Sequence, residues 1–239
     1  VTVLGSSGTY PGAGEACSGY LVRSPGATVA VDLGSGTLAR LQEHVEVADL
    51  DAVVLTHEHP DHWLDLPVLR NAMRYVLGLA GLPVHGTAGT LAAALAVAGE
   101  LGPTLVWSTI EAGSEVAVGD QRLRFSRTDH PVETLAVRVD TGGRSLLLSA
   151  DTGPGWDPGP AGAGVDLFVC EATLRPEDEG RAQHLSARQA GALARSLGAG
   201  RLVVTHVAPG VDDAAQGRAA AEAFGGPVDV AADGATYAA

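Results

Sequence analysis

Short apolar runs recur along the whole chain, separated by segments whose apolar residues return every three or four positions. The runs predict strands at Val1–Leu4, Gly19–Arg23, Thr28–Asp32, Ala52–Thr56, Leu123–Arg127, Leu135–Val139, Ser145–Ser149, Asp166–Cys170, Leu202–Thr205 and Val228–Ala231. The longer-period segments predict helices at Thr37–His44, Leu64–Leu77, Gly89–Gly99, Ser186–Leu197 and Asp212–Phe224. Gly/Pro-rich stretches such as "GTYPGAG" and "DTGPGWDPGPAGAG" read as loops, and none is long enough to link two domains. Strands come first, then βα units, then more strands, then βα units again. That order predicts two sheets face to face with helices outside, a four-layer αββα sandwich forming one α/β domain over residues 1–239.

Composition narrows the function. With 46% hydrophobic residues the chain has material for a packed core. The formal net charge is −13 and every one of the fifteen basic residues is arginine. An acidic surface repels polyanions, so no long nucleic acid is expected as a partner, and bound metal would be the natural source of local positive charge. Cys17 and Cys170 are far apart and lack CxxC spacing, which predicts reduced, buried thiols and a cytoplasmic protein. No apolar run approaches the ~20 residues of a membrane span, so no membrane partner is expected. The chain opens on the strand-like "VTVLG" with no signal-peptide pattern.

The candidate chemistry sits at the carboxyl ends of the apolar runs, where α/β sheets build ligand sites. "AVVLT" leads into His57-Glu58-His59-Pro60-Asp61-His62, and "LRFSRTD" into His130. "SLLLSA" leads into Asp151, "DLFVC" into Glu171, and "RLVVT" into His206. A single His after a strand is usually a loop residue, and His44 and His85 are assigned that way. Recurrence of metal-ligand residue types at five strand ends is what a metal site requires. Neutral imidazoles with carboxylates suit Zn²⁺, and also Mn²⁺ or Fe²⁺. Asp151, with two oxygens, is able to bridge two ions.

"HEHPDH" resembles the HxHxDH signature of the metallo-β-lactamase superfamily, with His130, Asp151 and His206 following in the right order. The resemblance covers essentially the whole chain, from "VTVLGSSG" to "VVTHVAPG". It implies a metal-dependent hydrolase with two divalent ions, Zn²⁺ foremost. The first ion would take His57, His59, His130 and Asp151; the second Asp61, His62, Asp151 and His206. Asp32 in "VDLGSGT" would support the ligands from behind.

Two further motifs, "CEAT" (Cys170–Thr173) and "HLSARQAGALA" (His184–Ala194), look like the paired motifs of the phosphodiesterase branch, as in ribonuclease Z. There a glutamate orients a histidine that protonates the leaving oxygen, which assigns catalytic roles to Glu171 and His184 beside Asp61. Ser186 and Gln189 read as a capping box, placing His184 just ahead of a helix N-terminus. Ribonuclease Z carries a tRNA-gripping arm between the third His and the bridging Asp. Here His130 and Asp151 are separated by two strands and a "DTGGR" turn, with no room for an arm. The wording as a whole is closest to compact actinobacterial enzymes that degrade cyclic nucleotides. The expected activity is hydrolysis of small phosphodiesters, cyclic nucleotides foremost, by a metal-bridging hydroxide. The alternatives are an arm-less nuclease on RNA 3′ ends, a metal-keeping nucleotide sensor without turnover, and a thioester or lactone hydrolase. Similar enzymes are commonly dimers, which makes a homodimer the assembly to test. Trp63 and Tyr75 are expected in the core, and Trp156 is the candidate for a mobile lid.

Overall fold

The computed structural model describes residues 1–239, the side chains of residues 160 and 161 excepted. Its first sheet runs β1 (Thr2–Gly5), β2 (Gly19–Ser24), β3 (Ala27–Leu33), β4 (Ala52–Leu55), β5 (Leu82–Gly86) and β6 (Leu105–Thr109), in that spatial order. The second holds β7 (Glu115–Val118), β8 (Gln121–Arg127), β9 (Leu135–Thr141), β10 (Arg144–Leu148), β11 (Leu167–Glu171), β12 (Arg201–Thr205) and β13 (Val228–Val230), again in sequence order. Each sheet begins antiparallel and turns parallel, from β3 onward in the first and from β10 onward in the second.

Three apolar layers hold these sheets. Val29, Val31 and Val54 from the first sheet interdigitate with Leu135, Val137, Leu148 and Val169 from the second. The alternate residues of the same strands, such as Ala30, Val53 and Leu55, face outward against α1 (Thr37–Leu41), α2 (Leu66–Ala72) and α3 (Ala88–Ala98). On the far side Leu147, Phe168, Cys170 and Val204 pack under α5 (Ala187–Leu197) and α6 (Asp213–Phe224), with the short α4 (Gly159–Gly162) beside them. A strand buried on both faces reads as an unbroken apolar run, which is why β4 and β12 are evident in the sequence. The expected four-layer αββα sandwich is the observed fold.

Several local expectations need correction. β5, β6 and β7 were not predicted. Pro83 lies within β5, where proline argues against a strand, and β6 and β7 are edge strands with about half their residues exposed. His85 therefore lies in a strand rather than a loop. The predicted Leu64–Leu77 helix is shorter, α2 passing into a π-turn at Met73–Leu77 that Gly78 ends in the left-handed region. Tyr75 on that turn is 69% exposed, not in the core. Trp156 is buried beside Phe168, ring centroids 6.4 Å apart, so it belongs to the core and not to a lid.

Two stitches join the sheets at their edges. Residues 234–237 follow β13 and pair with β1, through Val3 N to Ala235 O at 2.9 Å and Tyr237 N to Val1 O at 2.8 Å. Ser7, in the loop after β1, bridges to both Cys17 and Val207. Among the described residues no helix is long and apolar enough to cross a membrane.

Candidate metal centre

The strand ends converge as the sequence suggested. The loop after β4 makes a single 3₁₀ turn at Pro60–His62, with proline at its first position, where no N–H is needed. Trp63, buried against the helix-side core, donates its indole N–H to Glu58 O at 2.8 Å and pins the loop. His57, His59, His130 and Asp151 form one group, and Asp61, His62 and His206 a second, the ligand atoms of each lying within 4.8 Å of one another.

Asp151 lies between the groups and divides its oxygens. Oδ2 faces His57 Nε2 at 3.6 Å and His130 Nε2 at 3.9 Å, while Oδ1 faces His62 Nε2 at 3.2 Å and His206 Nε2 at 3.4 Å. The position of Asp151 follows from sheet order. It leaves β10; the parallel β11 beside it and β12 beyond deliver Glu171 and His206 at the same level.

The hydrogen bonds behind the imidazoles fix which nitrogen looks inward. Thr56 donates its hydroxyl proton to Asp32 Oδ2 at 2.9 Å and can therefore accept from His57 Nδ1 at 3.1 Å. His62 Nδ1 donates to Asp32 Oδ2 at 2.7 Å. Thr173 donates to Glu171 Oε2 at 2.7 Å and accepts from His206 Nδ1 at 2.8 Å. His130 Nδ1 donates to Gln183 O at 3.3 Å. Each of these rings is left with an Nε2 lone pair turned to the centre, the arrangement that carboxylate- and carbonyl-braced metal histidines adopt. Lone pair faces lone pair at His62 Nε2–His206 Nε2, 3.3 Å, and His130 Nε2 stands 3.1 Å from His59 Nδ1. His57 Nε2 and Asp151 Oδ1 are buried without a hydrogen-bond partner. Buried acceptors crowded this way are stable only around cations, so the residues fit a pair of divalent ions.

Electrostatics agree. Burial pushes the Asp151 carboxyl up, but His206 and His62 outweigh it and hold it well below the carboxylate range. Burial likewise raises Asp61, and the His206 hydrogen bond with His62 beyond it brings the net shift down. His62 moves the other way: burial disfavours its charge, but Asp151 and Asp32 raise it well above the histidine range. His206 is raised by Asp151 and Asp61 against the same burial. In the metal-free chain the carboxylates thus favour protonation of His62 and His206.

Four non-glycine residues have positive φ: Thr9, Asp32, Ala150 and His206, at 68°, 59°, 52° and 56°. All lie at this centre, where left-handed backbone turns a strand end toward the cluster. Thr9 N donates to Asp61 Oδ2 at 2.9 Å, which brings the loop of residues 6–18 to the rim of the site. Gly8 allows that approach, since a Cβ there would lie 2.5 Å from His206 O.

Glu171 and His184 are also where the motifs put them. Glu171 is buried and accepts from Thr152 N at 2.7 Å, from Thr173 and from His184 Nδ1 at 2.8 Å. Burial lowers His184, but Glu171 overrides it and holds the imidazole up to about 9. The His184 ring stacks on His206, centroids 5.7 Å apart. Ser186 and Gln189 form the predicted capping box at the start of α5. Sequence reasoning missed Thr56 and Thr173 as the hydroxyl relays behind His57 and His206. Their adjacency to His57 and to Glu171 is the only signal, and threonine at a strand end is too common to stand out. His184 also lies close enough to Asp151 and His206 to join a third potential ligand group, which the motifs did not suggest.

This fold and this cluster define a metal-dependent hydrolase. The chain belongs to the β-lactamase superfamily, whose domain description (Beta-lactamase superfamily domain) matches residues 17–207. It is 32% identical to the probable metallo-hydrolase YhfI of Bacillus subtilis, over 98% of this chain and 97% of that one. The crystal structure of B. subtilis YhfI superposes with a TM-score of 0.90 at 28% identity, covering 98% of this chain and 96% of the other. The chain is also 33% identical to a ribonuclease Z of Mycobacterium avium, over 98% of this chain and 95% of the relative.

Proposed function

We propose that this hydrolase is a dinuclear phosphodiesterase acting on small nucleoside phosphodiesters, cyclic nucleotides among them. The observation that carries the reading is the Glu171–His184 pair beside the cluster. A proton donor suits departure of an alkoxide from phosphorus, whereas a thioester expels a thiolate that needs none. Divalent ions held by His57, His59, His130 and Asp151, and by Asp61, His62, His206 and Asp151, would supply Lewis acidity toward the phosphoryl oxygens and acidify water. Asp61, steadied by Thr9 N, orients that water for in-line attack. The water gives up a proton to solvent as its oxygen bonds to phosphorus, the P–O bond to the ribose oxygen breaks, and His184 passes its Nε2 proton to the departing oxygen. Glu171 keeps Nδ1 protonated, so the ring presents Nε2 to the substrate.

Small substrates are favoured by the acidic surface and by the β9–β10 connection, a two-residue Gly142-Gly143 turn with positive φ at both positions. The test is hydrolysis of 3′,5′-cyclic AMP by Zn²⁺- or Mn²⁺-loaded protein with Asp151→Ala alongside. Turnover lost in the variant supports the reading. Likeness to a ribonuclease Z favours a second reading, an arm-less nuclease, and cleavage of RNA 3′ ends with cyclic nucleotides untouched would select it.

A further inference from the structure

Twelve of the fifteen arginines stand within 4 Å of a carboxylate, as an acidic surface dictates. Arg23, Arg127 and Arg195 do not, and of these Arg127 alone adjoins the candidate metal centre. It closes β8 on the same face as Leu123 and Phe125, which point between the sheets, and unlike them it is exposed. Its Nη2 donates to His130 O at 3.3 Å, the one polar contact made by the guanidinium, which leaves four N–H groups for a ligand. The Asp129 carboxylate is not within 4 Å of it; both its oxygens are engaged elsewhere, by Gly155 N at 2.9 Å and Gln183 Nε2 at 3.0 Å.

An unpaired guanidinium in a chain of charge −13 is a place where an anion gains rather than loses. The guanidinium is held at the His130 backbone carbonyl and makes no contact with the inward imidazoles or with Asp61 and Asp151. It is therefore set beside the phosphorus under attack rather than at it, in reach of the next anionic group along a nucleotide. We propose that Arg127 is a specificity-determining residue that binds a second phosphate of the substrate, one nucleoside removed from the diester that is cut. The substrate class this selects is dinucleotides, in preference to cyclic mononucleotides. The inference rests on the phosphodiesterase reading and narrows it.

The test compares kcat/KM of metal-loaded protein for ApA, pApA and ApAp, which share one diester and differ only in a terminal phosphate. Wild type should prefer one phosphorylated form over ApA by about tenfold. Arg127→Gln should abolish that ratio while leaving the rate on ApA within about twofold, and Arg127→Lys should keep part of it. A merely structural arginine, bracing His130, would lower all three rates together and leave the ratio intact, which overturns the proposal. Equal wild-type rates on the three compounds also overturn it, while leaving the phosphodiesterase reading in place. If no phosphodiester, cyclic AMP included, is cleaved by the loaded protein, that reading falls and the role of Arg127 with it.

Discussion

The two sheets equip the same site by different means. The first supplies four candidate ligands, His57, His59, Asp61 and His62, from six consecutive residues after β4, and braces them with Asp32 from the neighbouring β3. The second sends one residue from each of several strand ends: His130 after β8, Asp151 after β10, Glu171 at the end of β11 and His206 after β12. One arrangement is set by a local turn. The other is set by the order and register of parallel strands, so it exists only once the sheet is assembled. The first half therefore offers a partial site, and the second completes and polarises it.

Removing the residue shared by both groups should have the largest effect. Asp151→Ala should cost about a thousandfold in kcat/KM and reduce the bound metal per chain. Metal analysis beside the rate assay checks it, and unchanged metal content would mean that the two halves bind independently of Asp151. His184→Ala, on the second half but assigned as a proton donor, should lower kcat about a hundredfold with metal content unchanged. Loss of metal in that variant would instead make His184 a ligand.

Asp32→Ala probes the first half's brace. It leaves His62 Nδ1 and the Thr56 hydroxyl without their acceptor, and metal affinity should fall about tenfold or more. Titration against a chelator of known affinity measures this, and wild-type affinity would show that the turn alone holds the ligands. The smallest effect concerns protons. His62 and His206 are raised in the metal-free chain, so they hold their protons to higher pH than free imidazoles, and a metal must displace them. Metal uptake at pH 7 should release protons, and affinity should climb with pH until those imidazoles are neutral. Calorimetry in buffers of different ionisation enthalpy reads the release, and an enthalpy independent of buffer would contradict it.

This contrast also explains what was legible in the chain. The β4 strand is apolar on both faces and its ligands are contiguous, so strand and ligand cluster are both visible in one decapeptide. Asp151, Glu171 and His206 are recognisable because each ends an apolar run, but that they share a level depends on β10, β11 and β12 being neighbours. Edge strands were lost because exposure dilutes their pattern, as in β7, where Glu115 and Ala117 are exposed. Trp156 misled because a Gly/Pro-rich segment suggests a surface loop, yet the turn folds its indole under Phe168. Tyr75 misled in the opposite sense: its aromatic ring suggested the core, yet it lies on the side of the helix away from Leu66, Leu69 and Met73, with exposed Val68. The hydroxyl relays through Thr56 and Thr173 were invisible because they depend on partners 24 and 33 residues away.

The pairing of residues 234–237 with β1 has a bearing on how the molecule is made. β1 is the outer strand of its sheet, and one of its backbone edges is covered only by chain that lies more than 230 residues further on. Until that segment arrives, the edge presents unpaired N–H and C=O groups to any other strand in reach. Closing so long a span is slow, because the loop entropy must be met before the contacts reward it. The seam between β1 and residues 234–237 is thus where this chain is most exposed to misassembly, and holding it shut is a matter of folding order rather than of catalysis.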